Sequence, residues 1–240
     1  MHPFSRAQVA FRPPARAPHT AGTSPRLAGL LIAGLLLFLA PASASALAFQ
    51  ADFVSSTYQV GAGDTFADLL AVHQSSPVIQ STTTTGLENI STAVYAAGVT
   101  SNYSILLQVD MTLAVAGTYT FQVGTDWGRG GGMALVDNAT NTILSEMVRT
   151  DDVWWANDWN NPDVFQTTFS LAAGDSYSIL WVGFEGCCGG TSTVRFSVDG
   201  GAFAPLTDTN FQPYVVPEPS VAVLLGLGLG LLARSGRVGE

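Results

Sequence analysis

The chain has 240 residues with 18 acidic and nine basic side chains, a formal net charge of −9 and a mean hydropathy of +0.30. The stretch 49–216 holds 16 of the acids and three of the bases, which gives these 168 residues a net charge of −13. A surface this acidic repels phosphate backbones and excludes nucleic-acid binding. The stretch is long enough for one domain with a hydrophobic core and too short for two.

The first 48 residues have the features of a secretory signal peptide. Residues 1–26 carry four arginines and no acid, and residues 27–40 form an uncharged apolar run that small residues follow. This order predicts export with cleavage after Ala48 or, alternatively, after Ala46. The other interpretation is an uncleaved membrane anchor, but 14 apolar residues form a helix of about 21 Å, shorter than the ~30 Å hydrocarbon core. We therefore expect residues 1–48 to be removed.

The C-terminal residues 215–240 combine a Pro-Glu-Pro motif, an apolar stretch at 221–233 and an arginine-containing end. This order closely resembles the PEP-CTERM sorting signal of Gram-negative, exopolysaccharide-producing bacteria. The resemblance implies that an exosortase in the inner membrane removes the tail and that the protein then passes to the cell surface or the extracellular matrix. The residues that carry the resemblance are Pro217, Glu218, Pro219, Arg234 and Arg237.

The apolar stretch before Arg234 is a poor permanent anchor. Its 13 residues span about 20 Å as a helix, which is shorter than the bilayer core. Its three glycines each weaken that helix by up to about 1 kcal/mol relative to alanine. The arginines remain in the cytoplasm by the positive-inside rule and leave the domain outside. We therefore expect a short-lived intermediate in the inner membrane.

Between these ends, apolar and polar residues alternate in the manner of β-strands, with Gly, Asp and Asn at the turns. We expect 104–115 and 118–126 to form a hairpin or a tight strand corner, and 164–171 to pair with 176–184. The sequence predicts an all-β fold, an antiparallel, jelly-roll-like β-sandwich over residues 49–214. Two further hairpins are predicted within 133–147 and 191–206. A short helix is predicted at 65–74, and a loop or an edge strand at 81–85.

Two segments of the domain resemble known families. The strand that ends at Asp126, with the glycine-rich loop behind it, loosely resembles the protective-antigen-type β-sandwich and other carbohydrate-binding jelly rolls. That resemblance implies an acidic residue beside the ligand end of the sandwich. The string Gly-Phe-Glu, Cys187, Cys188 and Gly190, followed by Phe-Ser-Val-Asp-Gly-Gly, resembles the CCXG family of PEP-CTERM proteins. No activity accompanies that second resemblance.

Cys187 and Cys188 are the chain's two cysteines, and in an exported protein they do not stay reduced by default. One interpretation is a vicinal disulfide. It is strained because a trans peptide holds the Cα atoms about 3.80 Å apart, below the usual 4.4 Å limit, although the neighbouring glycines supply backbone freedom. Intermolecular disulfides and free or metal-binding thiols are the alternatives. A zinc site requires about four ligands, and none is evident nearby.

The segment 150–163 interleaves aspartates and tryptophans and is the candidate ligand or calcium loop. Calcium takes six to eight oxygen ligands, and exposed tryptophans can stack on sugar faces. In the alternative interpretation the tryptophans close the end of the sandwich and the acids are solvated loop residues. The candidate residues, with the acid from the preceding strand, are Asp126, Asp151, Asp152, Trp154, Trp155, Asp158, Trp159 and Asp163.

Catalytic signals are sparse. His73 is the one histidine outside the predicted leader, and no nucleophile elbow is present. We therefore expect a non-enzymatic surface or matrix protein that acts in an exopolysaccharide layer or biofilm. The alternative function is a carbohydrate-binding module that uses the 150–163 loop, with or without calcium as its cofactor. A hydrolase with paired carboxylates is a third hypothesis.

Overall fold

The computed structural model describes residues 47–96 and 98–216. The predicted signal peptide up to residue 46 and the predicted sorting tail from Pro217 lie outside the described residues. In the described part no helix is long and apolar enough to cross a membrane.

Two six-stranded antiparallel sheets form the domain, so the prediction of an antiparallel β-sandwich is confirmed. The first sheet has the spatial order β2 (Val78–Thr84), β1 (Ala48–Ser55), β4 (Tyr103–Thr112), β10 (Ser176–Glu185), β6 (Gly131–Asp137) and β7 (Thr142–Arg149). The second sheet is built on β11 (Thr191–Val198) and β5 (Gly117–Trp127), which pair with β12 (Ala204–Pro205), β3 (Ile90–Ser91), β8 (Val153–Trp154) and β9 (Phe165–Leu171). The helices are α1 (Phe66–Ser75), α2 (Thr92–Tyr95) and α3 (Asp208–Phe211), with a 3-10 turn at Gln212–Tyr214.

The main core lies between the inner faces of the two sheets, because alternate residues of each strand point inward. Trp127 from the second sheet and Trp181 from the first are both fully buried there. Their indole N–H groups donate to one hydroxyl, Ser192 Oγ, at 2.8 and 3.1 Å. Thr125 Oγ1 lies 3.0 Å from the same oxygen. One serine therefore satisfies the polar atoms of the two largest core side chains.

Helix α1 covers part of the outer face of the first sheet and confirms the helix predicted at 65–74. It begins with a capping box, in which the Thr65 hydroxyl accepts from the Asp68 backbone N–H and the Asp68 carboxylate accepts from the Thr65 backbone N–H. Phe66 and Leu69, three residues apart, then face the sheet together. They form a second apolar cluster with side chains that include Leu180.

The strand pairings correct part of the sequence prediction. The hairpins in 133–147 and 191–206 are confirmed as β6–β7 and β11–β12. The pairing of 164–171 with 176–184 is wrong, because β9 pairs with β5 in the second sheet while β10 lies between β4 and β6 in the first. β4 and β5 also belong to different sheets, so their connection is the strand corner rather than the hairpin.

Strands β1 and β2 and the two ends of the domain differ in detail from the sequence prediction. β2 lies at the edge of the first sheet, which selects the edge-strand interpretation of 81–85. β1 was not predicted, although it is an interior strand paired with β2 and β4. Leu47 and Val215 are both buried in the main core, so the packed domain reaches slightly beyond the predicted limits of 49 and 214.

Candidate functional site

The outer face of the second sheet carries a row of hydrogen-bonded polar side chains. Arg195 on β11, Gln122 on β5 and Gln166 on β9 are directly opposite one another in the strand register. Arg195 Nε donates to Gln122 Oε1 at 2.7 Å, and Gln122 Nε2 donates to Gln166 Oε1 at 2.5 Å. The row fixes Arg195 against the sheet and orients its guanidinium.

The loop after β8 folds over this face next to the polar row. Trp155 lies on Gly124 of β5, where an added Cβ would overlap the indole ring. The backbone N–H of Trp155 donates to Thr125 O at 3.0 Å, which ties the loop to the strand. Ala156 and Asn157 follow with φ values of 54° and 57°, so the chain reverses immediately. The absent side chain at Gly124 is therefore what lets Trp155 reach the sheet.

The reversal brings Trp159 back over Arg195. The Trp155 and Trp159 rings meet edge to face, with centroids 4.4 Å apart. The Arg195 guanidinium carbon lies 3.9 Å from the Trp159 centroid and 4.3 Å from the Phe203 centroid. The guanidinium is thus stacked between two aromatic rings, each within cation–π distance. Burial lowers the pKa of Arg195, but an arginine remains charged at neutral pH.

These rings border a groove of about 290 Å³. Its lining combines the aromatic residues Trp155, Trp159 and Phe203 with polar groups of several kinds. Arg195 supplies a guanidinium, and the other polar lining residues are Glu88, Asn89, Asn157 and Thr193. A concave site with aromatic walls and a few placed polar groups is the usual form of a small-molecule or sugar site.

Two aspartates of the predicted loop, Asp158 and Asp163, hold it together, and none of its four aspartates lines this groove. Asp158 Oδ1 accepts from the Asn160 backbone N–H at 2.9 Å. Asp163 Oδ2 accepts from the Trp154 backbone N–H at 3.1 Å, and Asp163 Oδ1 lies 4.0 Å from Arg149 Nη1. Asp151 and Asp152 are exposed. Across the described residues, no group of three or more His, Cys, Asp or Glu side chains is placed to hold a metal ion.

Trp154 and Asp126 lie opposite each other where β8 pairs with β5. Trp154 is 60% exposed, and its side chain is not part of the groove lining. Burial raises the pKa of Asp126, and the nearby carboxylates of Glu185 and Asp152 raise it further. Asp126 and Asp152 therefore interact electrostatically, while Trp155 and Trp159 line the groove.

The Cys187–Cys188 pair lies in the turn between β10 and β11, where the structure joins the two residues in a disulfide. Glu185, which is buried before this turn, accepts from the backbone N–H groups of Gly186 and Cys187 at 2.7 and 2.9 Å. Its other oxygen accepts from the Gly128 N–H at 3.1 Å. The carboxylate of Glu185 therefore holds the turn, and Cys188 takes a positive φ of 74° within it.

Sequence reasoning missed two central residues of the groove, Arg195 and Phe203. Both lie more than 35 residues after Trp159 and reach it only because β11 pairs with β5. One signal was available, since Arg195 is one of three basic residues in an otherwise acidic domain. Phe203 follows the Gly200–Gly201 turn and carries no comparable signal.

No known family model matches the chain, and no curated protein matches it in sequence. Among solved structures, it is similar to a PA14 sugar-binding domain from an RTX adhesin, with 13% identity, a TM-score of 0.44 and coverage of 70% of this chain and 97% of that chain. It is also similar to the PA14 domain of the antifreeze protein MpAFP, with 14% identity, a TM-score of 0.46 and coverage of 70% and 90%. A third similar structure is the A domain of epithelial adhesin 6 from Candida glabrata, solved with Galβ1-3GlcNAc. Its sequence identity is 14% and its TM-score 0.44, and the match covers 70% of this chain and 85% of that chain. These likenesses are distant, and no functional assignment follows from them.

Proposed function

We propose that this protein is a non-enzymatic, exported surface or matrix protein that binds carbohydrate in the groove beside Arg195. The observation that carries the proposal is the stack of Trp159, Arg195 and Phe203 on the outer face of the second sheet. The stack borders an open groove instead of being closed inside the core.

The chemistry of the groove suits a sugar ring. A pyranose has apolar C–H faces that pack on aromatic rings and hydroxyl edges that need hydrogen-bond partners. The groove offers both, with the rings of Trp155, Trp159 and Phe203 and the amides of Asn89 and Asn157. Its volume of about 290 Å³ lies near the lower end of small-molecule sites, which suits a short stretch of a glycan rather than a globular partner.

The predicted signal peptide and sorting tail determine where we propose that the domain acts. Export through the signal peptide, a brief inner-membrane stage and removal of the tail by an exosortase would deliver the domain to an exopolysaccharide layer. Pro217, Glu218 and Pro219 follow directly after Val216, the last described residue, so cleavage near Pro219 would leave the packed domain intact. We infer that the domain binds this layer and does not hydrolyse it.

A glycan array probed with the purified protein tests the proposal. We expect saturable binding by the wild type, at least a tenfold loss with Trp159→Ala because a central aromatic anchor is removed, and little change with Trp154→Ala. Trp154→Ala is the matched control, since that tryptophan is exposed outside the groove. If no glycan binds the wild type, the proposal is rejected in favour of a purely structural matrix role.

Calcium is tested in the same experiment by adding a chelator. Asp158 and Asp163 are engaged with backbone groups and with Arg149, and none of the loop's four aspartates lines the groove. We therefore expect glycan binding to persist without calcium. Loss of binding in the chelator that calcium restores would show that the ion takes part in ligand recognition.

A further inference from the structure

We propose that the groove selects a sugar that carries one carboxylate, such as a uronic acid residue, and that Arg195 recognises this carboxylate. The inference rests on the proposed function and specifies its ligand class.

The first observation is that the charge of Arg195 has no carboxylate partner within the described residues. The stretch 49–216 contains 16 acidic residues and three arginines, so carboxylates for ion pairs with the arginines are abundant. Arg149 lies 4.0 Å from Asp163, and Arg129 donates to the Asn102 side chain. Arg195, like Arg129, is bonded to a neutral amide, but it also lies against two aromatic rings and lines the groove. The Arg195 guanidinium therefore has a fixed position and no carboxylate partner in the described part of the protein, so it can bind an anionic group of a ligand.

The second observation is the orientation of the guanidinium. Its central carbon lies over the rings of both Trp159 and Phe203, and its Nε donates to Gln122. The donors on Nη1 and Nη2 make no hydrogen bond to the described part of the protein, and Arg195 lines the groove. A planar fork with two parallel N–H donors matches the two oxygens of a carboxylate. Because stacking and the Gln122 bond already fix the side chain, little rotamer entropy is lost when the anion binds.

The third observation limits how much negative charge the ligand carries. Glu88 lines the same groove and is exposed, so it repels a second anionic group there. The net charge of −13 between residues 49 and 216 repels a densely charged polymer as well. A sulfated or phosphorylated polyanion is therefore disfavoured. A mostly neutral glycan with a single uronate at the groove can pair its carboxylate with Arg195. It carries no second anionic group for Glu88 to repel, and its low charge limits repulsion by the acidic domain.

The experiment uses an array of matched glycan pairs, each a neutral oligosaccharide and the same oligosaccharide oxidised at C6 to the uronate. Binding of the full wild-type protein is compared with that of Arg195→Gln, which keeps a planar polar group but removes the charge and the fork. Arg129→Gln is the control, because it removes one positive charge outside the groove. Thermal unfolding verifies that each variant is folded.

We expect the wild type to bind the uronate member of a pair at least tenfold more tightly than the neutral member. Arg195→Gln should abolish this preference, so that the two members of each pair bind with equal affinity, while Arg129→Gln keeps the preference. Equal wild-type affinity for both members would overturn the inference and leave the proposed function standing. That comparison needs no variant, so misfolding of Arg195→Gln does not affect it. If no glycan on the array binds, the inference falls together with the proposed function.

Discussion

The outer faces of the two sheets have opposite roles. On the first sheet α1 lies across the face and makes a second apolar cluster, in which Phe66 and Leu69 are buried against the strands. On the second sheet the polar row at Arg195 lies on the outer face, and a short aromatic loop borders it. The first face is therefore a packing surface, and the second is the recognition surface that we propose.

The difference lies in how the aromatic side chains are used. Phe66 is 1% exposed, and its whole ring contributes to the free energy of folding. Phe203 is 38% exposed, and one of its faces stacks on Arg195 while part of the ring remains accessible. Because the Phe203 ring packs on the Arg195 guanidinium at the surface and is not buried in the core, it keeps an exposed apolar area that a ligand can cover.

Truncation of one phenylalanine on each face tests this contrast most strongly. Phe66→Ala should lower the free energy of unfolding by about 3–5 kcal/mol, because it leaves a cavity under α1. Phe203→Ala should lower it by less than about 1 kcal/mol and should weaken glycan binding instead. Denaturant unfolding and glycan binding of both variants provide the measurements. Equal destabilisation by the two substitutions would contradict the division of roles.

The pH dependence of the free energy of unfolding tests the packing of α1 on the first sheet. His73 on α1 is buried, its Nδ1 lies 2.9 Å from Ser104 Oγ, and burial lowers its pKa to about 4 despite the opposing effect of Asp52. The unfolded chain has a histidine pKa near 6.5 and takes up the proton first. The stability contributed by neutral His73 is thus complete above pH ~6.5 and is lost as the pH falls towards 4, by roughly 3 kcal/mol in full.

The measurement is the free energy of unfolding of the wild type and of His73→Gln between pH 7.5 and pH 5. Across this range we expect the wild type to lose about 2 kcal/mol more than the variant, which lacks the titrating ring. Parallel curves for the two proteins would mean that His73 is not held neutral under α1.

On the recognition surface, Gly124→Ala should displace Trp155, because the added Cβ overlaps the indole. We expect a loss of about 2 kcal/mol of stability together with weaker glycan binding, since Trp155 supports Trp159. Gly61→Ala is the matched control, because its nearest neighbour, the Asp64 carboxylate, would lie 3.4 Å from the new Cβ, an ordinary contact. If Gly124→Ala changes neither stability nor binding, Trp155 does not depend on this approach.

The smallest effect is expected at the Cys187–Cys188 turn, which belongs to neither surface. Thiol titration of the denatured, unreduced exported protein should find no free thiol, and non-reducing gels should show a monomer. Reduction should cost only about 1 kcal/mol, because the ring that the bond closes is minimal, and groove binding should persist. Two free thiols would exclude the vicinal bond, and dimers lost on reduction would indicate intermolecular cross-linking.

Local pattern predicted α1, most of the long strands and two hairpins, but it missed β1 and paired β9 with the wrong strand. Alternation over 164–171 and 176–184 marked two strands correctly, and the short connection suggested a hairpin. The chain instead crosses between the sheets, with the Ala172 N–H donating to Tyr177 Oη at 3.3 Å within the connection. Alternation shows which residues are buried, but both sheets bury their inner faces against the same core, so it does not show to which sheet a strand belongs.

The same limit explains what was missed at the site. The tryptophans of 150–163 stand out in the sequence because they are interleaved with aspartates, a composition that suits a calcium or sugar loop. Arg195 escaped notice because its role depends on the register between β11 and β5, which places it beside Gln122 and under Trp159. The acids drew attention by composition, whereas their actual hydrogen bonds to the backbone N–H groups of Trp154 and Asn160 are set by the loop's conformation.

The most direct test of carbohydrate binding at the groove is a two-dimensional NMR titration that follows the indole N–H signals of the five tryptophans. Trp127 and Trp181 are internal controls, because their N–H groups donate to buried Ser192. With a glycan that binds, we predict that the Trp155 and Trp159 signals shift and saturate together while those two controls remain unchanged. Saturable shifts confined to Trp154, with Trp155 and Trp159 unaffected, would place the ligand outside the groove and contradict this account.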